Sequence, residues 1–263
     1  MKNLLKGFVM SASMFSVIPL PASMWNDKSM PYVMPFFPFV GVMIGGLWYL
    51  AVYILTRLTP MYIYASFLSA ALIAICPFFL SGFIHADGLL DTADAVFSRR
   101  SRDEKIRILK DPHMGAFAAF ALCVLMLLSF CAVMDIQSNL RDIPLTFVLL
   151  PVMSRCVAGL ALLKLKSLSE TGFAASFKAG TSAGHSAAII AVMIVCVAAA
   201  FALGGTTFIP ILATVLMGVI TAAFLYRQFG GISGDICGAI ITVSELAGLV
   251  CMAVCINLSG VNL

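Results

Sequence analysis

Long apolar runs, separated by short polar segments, dominate the pattern of hydrophobic and polar positions along the chain. The runs are about 20 residues long, which is the length that an α-helix needs to cross the hydrocarbon layer of a bilayer. The sequence therefore predicts an all-α integral membrane protein with about seven transmembrane helices. The predicted spans cover 33–55, 61–84, 115–134, 143–163, 187–206, 209–226 and 237–257.

The break between the fifth and sixth predicted spans is weak. It depends only on Gly204, Gly205, Thr206, Thr207 and Pro210. A tight helical hairpin fits this segment, and so does a fused or re-entrant helix. The pattern alone leaves open whether both spans are complete transmembrane helices.

Residues 1–20 combine lysines with an apolar stretch, as a secretory signal does. On a helical wheel, however, the apolar side chains share one face, and Lys2 and Lys6 lie outside it. Pro19 and Pro21 are expected to end this helix, and no small-residue cleavage site follows them. The pattern favours an amphipathic helix that lies in the membrane interface.

The composition excludes several classes of protein. Hydrophobic residues make up 62% of the 263 residues and charged residues only 11%, whereas soluble domains are about 45–50% apolar and about 25% charged. A water-soluble globular protein is excluded, and so is a disordered chain. The net charge of +4, with the basic residues in short loops, indicates no nucleic-acid partner. The eight cysteines include no Cys-x-x-Cys pair and predict no disulfide or zinc framework.

The distribution of basic residues predicts the orientation in the membrane. With a cytoplasmic N-terminus and seven spans, most of the 16 lysines and arginines fall in cytoplasmic segments. Only Arg57 and Arg141 fall on the opposite side, and Arg155 lies within a span. We expect a single multi-pass domain, 1–263, in the cytoplasmic (inner) membrane, with its active-site loops on the cytoplasmic side.

Carboxylates concentrate between the second and third spans, in the loop and helix 85–114. Asp87, Asp91 and Asp94 would share an arc of about 60° on a helix, where like charges repel. The basic residues follow these aspartates and do not alternate with them at i, i+4, which argues against a solvated helix of ion pairs. Because unpaired carboxylates are costly beside apolar walls, we predict a divalent cation such as Mg²⁺, Mn²⁺ or Ca²⁺ at these three residues.

A short polar segment precedes the third span. It reads Lys110-Asp111-Pro112-His113-Met114-Gly115. Pro112 disfavours helix at Asp111, and Lys110 is able to contact an anionic group as a point charge. His113 fits the membrane interface as well as it fits catalysis, so it is assigned no role in proton transfer.

The glycine-rich loop 228–235 opens the last span and contains Gly231, Gly234 and Asp235. Glycines at this spacing allow backbone N–H groups to contact a phosphate at a helix N-terminus. A flexible loop is the simpler interpretation. An aspartate face for a metal, a glycine-rich loop for phosphate and nearby lysines are all predicted on the cytoplasmic side. Together they indicate chemistry on a phosphorylated substrate.

A charge pair is predicted between the fourth and last spans. Glu245 lies on the same helix face as Asp235, about three turns into the span, where an unpaired carboxylate is costly. Arg155 in the fourth span is the predicted partner. The pair either stabilises the bundle or forms a wall of the site, and the sequence does not separate the two.

These motifs resemble the signature of the cobalamin synthase family. The likeness is carried by His85-Ala86-Asp87-Gly88-Leu89-Leu90-Asp91-Thr92-Ala93-Asp94, by Lys110-Asp111 with Gly115, by Gly230-Gly231-Ile232-Ser233-Gly234-Asp235 with Gly238, Ala239 and Glu245, and by Phe15-Ser16-Val17-Ile18-Pro19-Leu20-Pro21. It covers nearly the whole chain in order and spacing. Ala86 and Ala95 depart from the family's usual residues, and neither departure is expected to abolish activity.

The resemblance implies the last assembly step of coenzyme B12. A hydroxyl of α-ribazole, or of its 5′-phosphate, attacks the cobinamide-bearing phosphorus of adenosylcobinamide-GDP, and GMP leaves. The implied metal is Mg²⁺. The expected catalytic residues are Asp87, Asp91, Asp94, Lys110 and Asp111, with the three first-named also holding the metal. The expected substrate contacts are His85, Gly88, Arg155, Gly231, Gly234, Asp235 and Glu245. A homo-oligomer is compatible with the sequence.

Two other classes stay open. A membrane transferase on lipids, such as a CDP-alcohol phosphotransferase or an aspartate-rich prenyltransferase, also uses aspartates, but the Ala-Arg pair and the closing i, i+4 aspartates of the former are absent. An ion-coupled transporter would use Arg155, Asp235 and Glu245 as intramembrane charges. Its acids should lie near the midplane in matched halves, and no internal repeat is detected.

Overall fold

The computed structural model describes residues 2–18, 25–58, 63–138 and 144–260, which form a bundle of α-helices. The helices are α1 (Lys2–Phe15), α2 (Val33–Leu58), α3 (Ile63–Leu80), α4 (Ile84–Phe97), α5 (Arg102–Ile108), α6 (Ala116–Ser138), α7 (Thr146–Lys164), α8 (Phe173–Lys178), α9 (Ala183–Leu203), α10 (Gly205–Phe229) and α11 (Gly234–Gly260). A 3₁₀-helix, Asp27–Tyr32, precedes α2. Within those ranges the only strand-like pairing is a single parallel bridge between Ser167 and Ile232. The predicted all-α class is confirmed.

Six helices are long and apolar enough to cross a membrane: α2, α6, α7, α9, α10 and α11. The pair α3 and α4 meets the same criterion together but is bent by 89°, so the number is seven if this pair counts as one span. The prediction of a multi-pass membrane protein with about seven spans is confirmed. The predicted second span ended too late, because α3 stops at Leu80 and residues 81–83 form a turn.

A sharp reversal at Gly204 separates α9 from α10. Its φ of 96° belongs to a region that residues with a side chain rarely adopt, so the chain turns between the two helices without an intervening loop. Pro210 lies inside α10, not at the break. The fifth and sixth predicted spans are therefore separate helices of 21 and 25 residues, which decides a point that the sequence left open.

Helix α7 lies at the centre of the bundle, and most of its residues are buried. It contacts α2, α9, α10 and α11. Two glycines of α2 allow backbone contact with α7, since an added Cβ at Gly41 would lie 2.5 Å from the Pro151 oxygen and one at Gly45 2.6 Å from the Val148 oxygen. Large apolar side chains cover the outside, including Phe120 and Phe201, as expected of a surface that faces lipid.

Helix α1 packs against α2 and the 3₁₀-helix. Met10 and Ala12 are buried, whereas Leu4 and Leu5 remain exposed apolar side chains. The predicted N-terminal helix is confirmed, and its position in the membrane interface stays a prediction. Pro19, Pro21 and Arg141, which the sequence assigned to the helix end and to the far side of the membrane, lie outside the described residues.

Candidate active site

Helix α4 holds the aspartate run against two of the spans, α11 and α6. It begins after Phe83, which adopts a left-handed conformation with a φ of 60°. Its buried face consists of His85, Ala86, Gly88, Thr92, Ala93 and Ala95. The sequence predicted a helix here, but assigned all of 85–114 to a cytoplasmic segment outside the spans. The structure packs the first part of this segment, α4, against α11 and α6, and its side of the membrane stays a prediction.

Two glycines bring α4 and α11 into backbone contact. An added Cβ at Gly88 would lie 2.5 Å from the carbonyl oxygen of Asp235, and one at Gly238 would lie 3.0 Å from that of His85. Thr242 Oγ1 donates a hydrogen bond to the same His85 oxygen at 3.0 Å. The first turn of α11 therefore lies beside the aspartates of α4, and Gly88 acts through packing.

Four carboxylates lie near this contact. Asp91 lies within electrostatic range of Asp87, Asp94 and Asp235, and Asp235 lies within range of Asp87. No lysine or arginine in the described part of the chain forms an ion pair with any of the four. The sequence predicted the three aspartates of α4 as a group, and the structure adds Asp235, which lies 141 residues after Asp94 in the chain.

Asp94 has a different role from the other three. Its Oδ2 accepts a hydrogen bond from the Gly115 amide at 2.6 Å, and its Oδ1 accepts one from the Ala118 amide at 2.9 Å. It thus caps the N-terminus of α6, where the helix dipole favours a negative charge. Sequence reasoning missed this cap because the two amides are 21 and 24 residues away.

The aspartates of α4 do not form one closed metal site. In the described residues, no three His, Cys, Asp or Glu side chains are grouped so that they could hold a metal ion. Both oxygens of the Asp94 carboxylate accept hydrogen bonds from amides at the start of α6, and the metal set of Asp87, Asp91 and Asp94 stays a prediction. Asp87, Asp91 and Asp235 remain as hard oxygen donors without a basic partner.

A cavity of about 560 Å³ opens beside these carboxylates. Most of its wall is apolar, and most of the apolar residues come from α1, α2, α7 and α8. The polar residues that line it are His85, Asp87, Ser169, Thr171, Ser233 and Asp235. Small-molecule sites are typically cavities of about 300–1,000 Å³ with apolar walls and a few polar groups. Its size and lining therefore suit a small substrate.

The glycine-rich loop is held in place by a neighbouring segment. The Ile232 amide donates to the Lys166 oxygen at 2.8 Å, and the Leu168 amide donates to the Ile232 oxygen at 2.9 Å. An added Cβ at Gly231 would lie 2.6 Å from Leu168 Cα, whereas Gly234 has open space and lines the cavity. The close packing requires a glycine at position 231. Gly234 lies at the N-terminus of α11 and faces the cavity, where phosphate contact was predicted.

Lys110 and Asp111 lie in the exposed connection between α5 and α6. They are not among the described residues that line the cavity. Asp111 Oδ1 accepts a hydrogen bond from the His113 amide at 3.0 Å and lies 2.7 Å from His113 Nδ1. The backbone hydrogen bond, and then the side-chain one, lower the pKa of Asp111. Their catalytic roles stay predictions.

Arg155 and Glu245 form a buried ion pair, with 2.6 Å between Nη1 and Oε1. Only 1% of Arg155 is exposed. Ser154 Oγ donates to the same carboxylate oxygen at 2.7 Å, and Arg155 Nη1 also donates to the Pro151 oxygen at 3.0 Å. Neither member of the pair lines the cavity. The predicted pairing is confirmed, and its position favours a structural role over a wall of the site.

Replacing Gly88 by alanine is expected to lower the thermal unfolding temperature and the activity together. The new methyl group would meet the Asp235 backbone at 2.5 Å, and overpacking of this kind costs about 1–3 kcal/mol. Gly46→Ala is the matched control, because an added Cβ at Gly46 meets nothing within 4 Å. Thermal unfolding of both variants in detergent is the measurement. An unfolding temperature for Gly88→Ala equal to that of Gly46→Ala would contradict the close contact.

Comparison with known proteins identifies relatives over nearly the whole chain. The family model described as cobalamin-5-phosphate synthase matches residues 7–253. An adenosylcobinamide-GDP ribazoletransferase of Clostridium perfringens is 34% identical over 255 residues, which is 97% of this chain and 100% of that protein. A protein of the same name from Lachnoclostridium phytofermentans is 35% identical over 248 residues, 90% of this chain and 89% of its own. No solved structure matches the chain significantly.

Proposed function

We propose that the chain, which belongs to the cobalamin-5-phosphate synthase family, is an adenosylcobinamide-GDP ribazoletransferase. The reaction is the final assembly step of cobalamin. A hydroxyl of α-ribazole, or of its 5′-phosphate, forms a new bond to the phosphorus that carries cobinamide. The bond from this phosphorus to the bridging oxygen breaks, and GMP leaves with that oxygen. The observation that carries the proposal is the family match, which spans every residue of the site.

The carboxylates support this chemistry because a cation would offset their mutual repulsion, and the reaction also requires a cation. Pyrophosphate cleavage places negative charge on the departing GMP, and a positive charge near it lowers the barrier. The donor pyrophosphate and the aspartates would repel each other unless a cation lay between them. Asp87 and Asp235, which line the cavity, are suitably placed for this.

We propose Mg²⁺ as that cation, held by Asp87 and Asp91 with Asp235 beside them. Mg²⁺ in proteins is commonly bound by one or two carboxylates together with substrate phosphates and waters, so a cage of three protein ligands is not required. When bound, it would neutralise phosphoryl oxygens and stabilise the charge on the leaving group. Asp94 then serves the site indirectly, since its cap on α6 fixes the far end of α4.

The competing classes are not favoured. A lipid phosphotransferase, a prenyltransferase or an ion-coupled transporter would not explain matches of nearly full length to ribazoletransferases. The intramembrane charges that a transporter would use are also accounted for. Glu245 and Arg155 are paired within the bundle, and Asp235 faces the cavity.

Purified protein in lipid nanodiscs tests the function directly. Incubation with adenosylcobinamide-GDP, α-ribazole and Mg²⁺ is expected to release GMP and form adenosylcobalamin, both measured by chromatography. A parallel reaction with α-ribazole 5′-phosphate shows which acceptor is preferred. Removal of metal with EDTA should stop GMP release, and added Mg²⁺ should restore it. The absence of GMP release with both acceptors would overturn the proposal.

The site is proposed to face the cytoplasm. Asp103 in α5 and Ser138 at the end of α6 are both exposed, and the 23 residues of α6 between these regions extend about 34 Å, enough to cross a bilayer. In a cysteine-free variant, Ser138→Cys should react with an impermeant thiol reagent on intact cells, and Asp103→Cys only after permeabilisation. The reverse pattern would overturn the orientation.

A further inference from the structure

We infer that the cavity holds the flat aromatic base of the ribazole acceptor, and that α1 determines which bases fit. This inference rests on the proposed function and adds the location of one substrate within the site. Helix α1 then has a role in the site in addition to its predicted position in the membrane interface. It supplies Met14 and Phe15 to the cavity wall.

Aromatic side chains surround Phe15 within the cavity wall. The Phe15 ring centroid lies 4.5 Å from that of Phe37 and 6.1 Å from those of His85 and Phe177. All four residues line the cavity, and they come from α1, α2, α4 and α8. A planar heteroaromatic ring gains both burial and stacking in such surroundings, whereas a charged pyrophosphate would gain neither.

The same cavity combines these aromatic walls with polar groups from the reacting end. Asp87, Ser233 and Asp235 belong to its lining. A nucleoside has matching parts, since its base is flat and largely apolar and its ribose carries hydroxyls. Placement of the base among the aromatic rings would bring the ribose to the carboxylates, where the attack on phosphorus is proposed.

His85 provides an independent indication of a ligand. It is 6% exposed, and its Nε2 atom is buried without a hydrogen-bond partner among the described residues. Buried polar atoms are rarely left unpaired in folded proteins. Because His85 lines the cavity, a ribose hydroxyl or a ring nitrogen of a bound nucleoside would provide the missing partner.

Size separates the two substrates. The cavity of about 560 Å³ is within the range of small-molecule sites, and a single nucleoside fits that space. The adenosylated corrin ring of the donor is several times larger than a nucleoside and does not fit. The cavity is therefore assigned to the acceptor, and the donor macrocycle must lie outside it.

Phe15→Ala is the first test. We expect KM for α-ribazole to rise about tenfold, with KM for adenosylcobinamide-GDP unchanged, because only acceptor contacts are lost; a tenfold change corresponds to about 1.4 kcal/mol. Calorimetric titration with α-ribazole alone should show the same tenfold rise in Kd. Phe8→Ala is the matched control on α1, since Phe8 packs on Phe36 at 5.6 Å and does not line the cavity.

Ala174→Phe tests the assignment from α8 without removing any contact of α1. Ala174 lines the cavity, so the larger side chain should occupy its space and raise KM for α-ribazole at least about tenfold. If KM and Kd for α-ribazole were unchanged in both Phe15→Ala and Ala174→Phe, with normal GMP release, this inference would be overturned and the proposed function would stand. A rise in the donor KM instead, or equal effects of Phe8→Ala and Phe15→Ala, would also overturn it. Tight α-ribazole binding without any GMP release would count against the proposed function and leave the cavity assignment supported.

Discussion

Replacement of Asp87 by asparagine is expected to reduce the rate of GMP release at least about a hundredfold, equivalent to about 2.7 kcal/mol of transition-state stabilisation. Asparagine keeps the size and polarity of the side chain but removes the charge that is proposed to hold a cation against the donor pyrophosphate. Asp87 is exposed to the cavity, so the change should leave the fold intact. Asp91→Asn should act in the same direction. Turnover at saturating substrates over a series of Mg²⁺ concentrations is the measurement.

Asp94→Asn is the matched control for these two variants. The capping role predicts a loss of stability within the range of about 0.5–2 kcal/mol for a lost cap, with a smaller loss of turnover than in Asp87→Asn. A higher Mg²⁺ concentration should restore part of the activity of Asp87→Asn and Asp91→Asn. It should not restore the activity of Asp94→Asn. Near-normal turnover in Asp87→Asn and Asp91→Asn, with metal still required, would place the metal elsewhere, with Asp111 and Asp235 as the next candidates.

Removal of one member of the Arg155–Glu245 pair is expected to have the largest effect on stability. Arg155→Leu leaves the Glu245 carboxylate buried without its partner, and breaking a buried pair in this way costs about 3–5 kcal/mol. Glu245→Leu should cost a similar amount, because the Arg155 guanidinium is almost completely buried. Unfolding of the purified variants in mixed micelles of increasing denaturing detergent measures the loss.

The double replacement Arg155→Leu with Glu245→Leu decides whether the two charges act on each other. It should be more stable than either single variant, since two apolar side chains leave no unpaired charge inside the bundle. Its GMP release, measured at a temperature where it is folded, should stay well above that of Asp87→Asn, because neither residue lines the cavity. A double variant no more stable than the worse single variant would exclude direct coupling.

Much of the fold follows from the sequence. The spans follow from the length of the apolar runs, which can be read locally along the chain. The thickness of the bilayer sets the length that a spanning helix needs. The shared face of Asp87, Asp91 and Asp94 follows from helical periodicity, which requires no knowledge of neighbouring helices. The pairing of Arg155 with Glu245 was predictable for another reason. Charges are so scarce within the apolar runs that few partners were available.

The tertiary structure decided what each of these residues contacts. The cap of Asp94 on α6 and the addition of Asp235 to the carboxylates depend on how α4 bends away from α3 and packs on α11. The cavity likewise combines residues from α1, α2, α4, α7, α8 and α11, which are spread along the chain. No period or run length encodes such contacts, because they are set by helix packing, which depends on close approach at positions such as Gly88 and Gly238. The sequence by itself therefore determined the class, the spans and the chemical character of the site, and packing between distant helices decided its geometry.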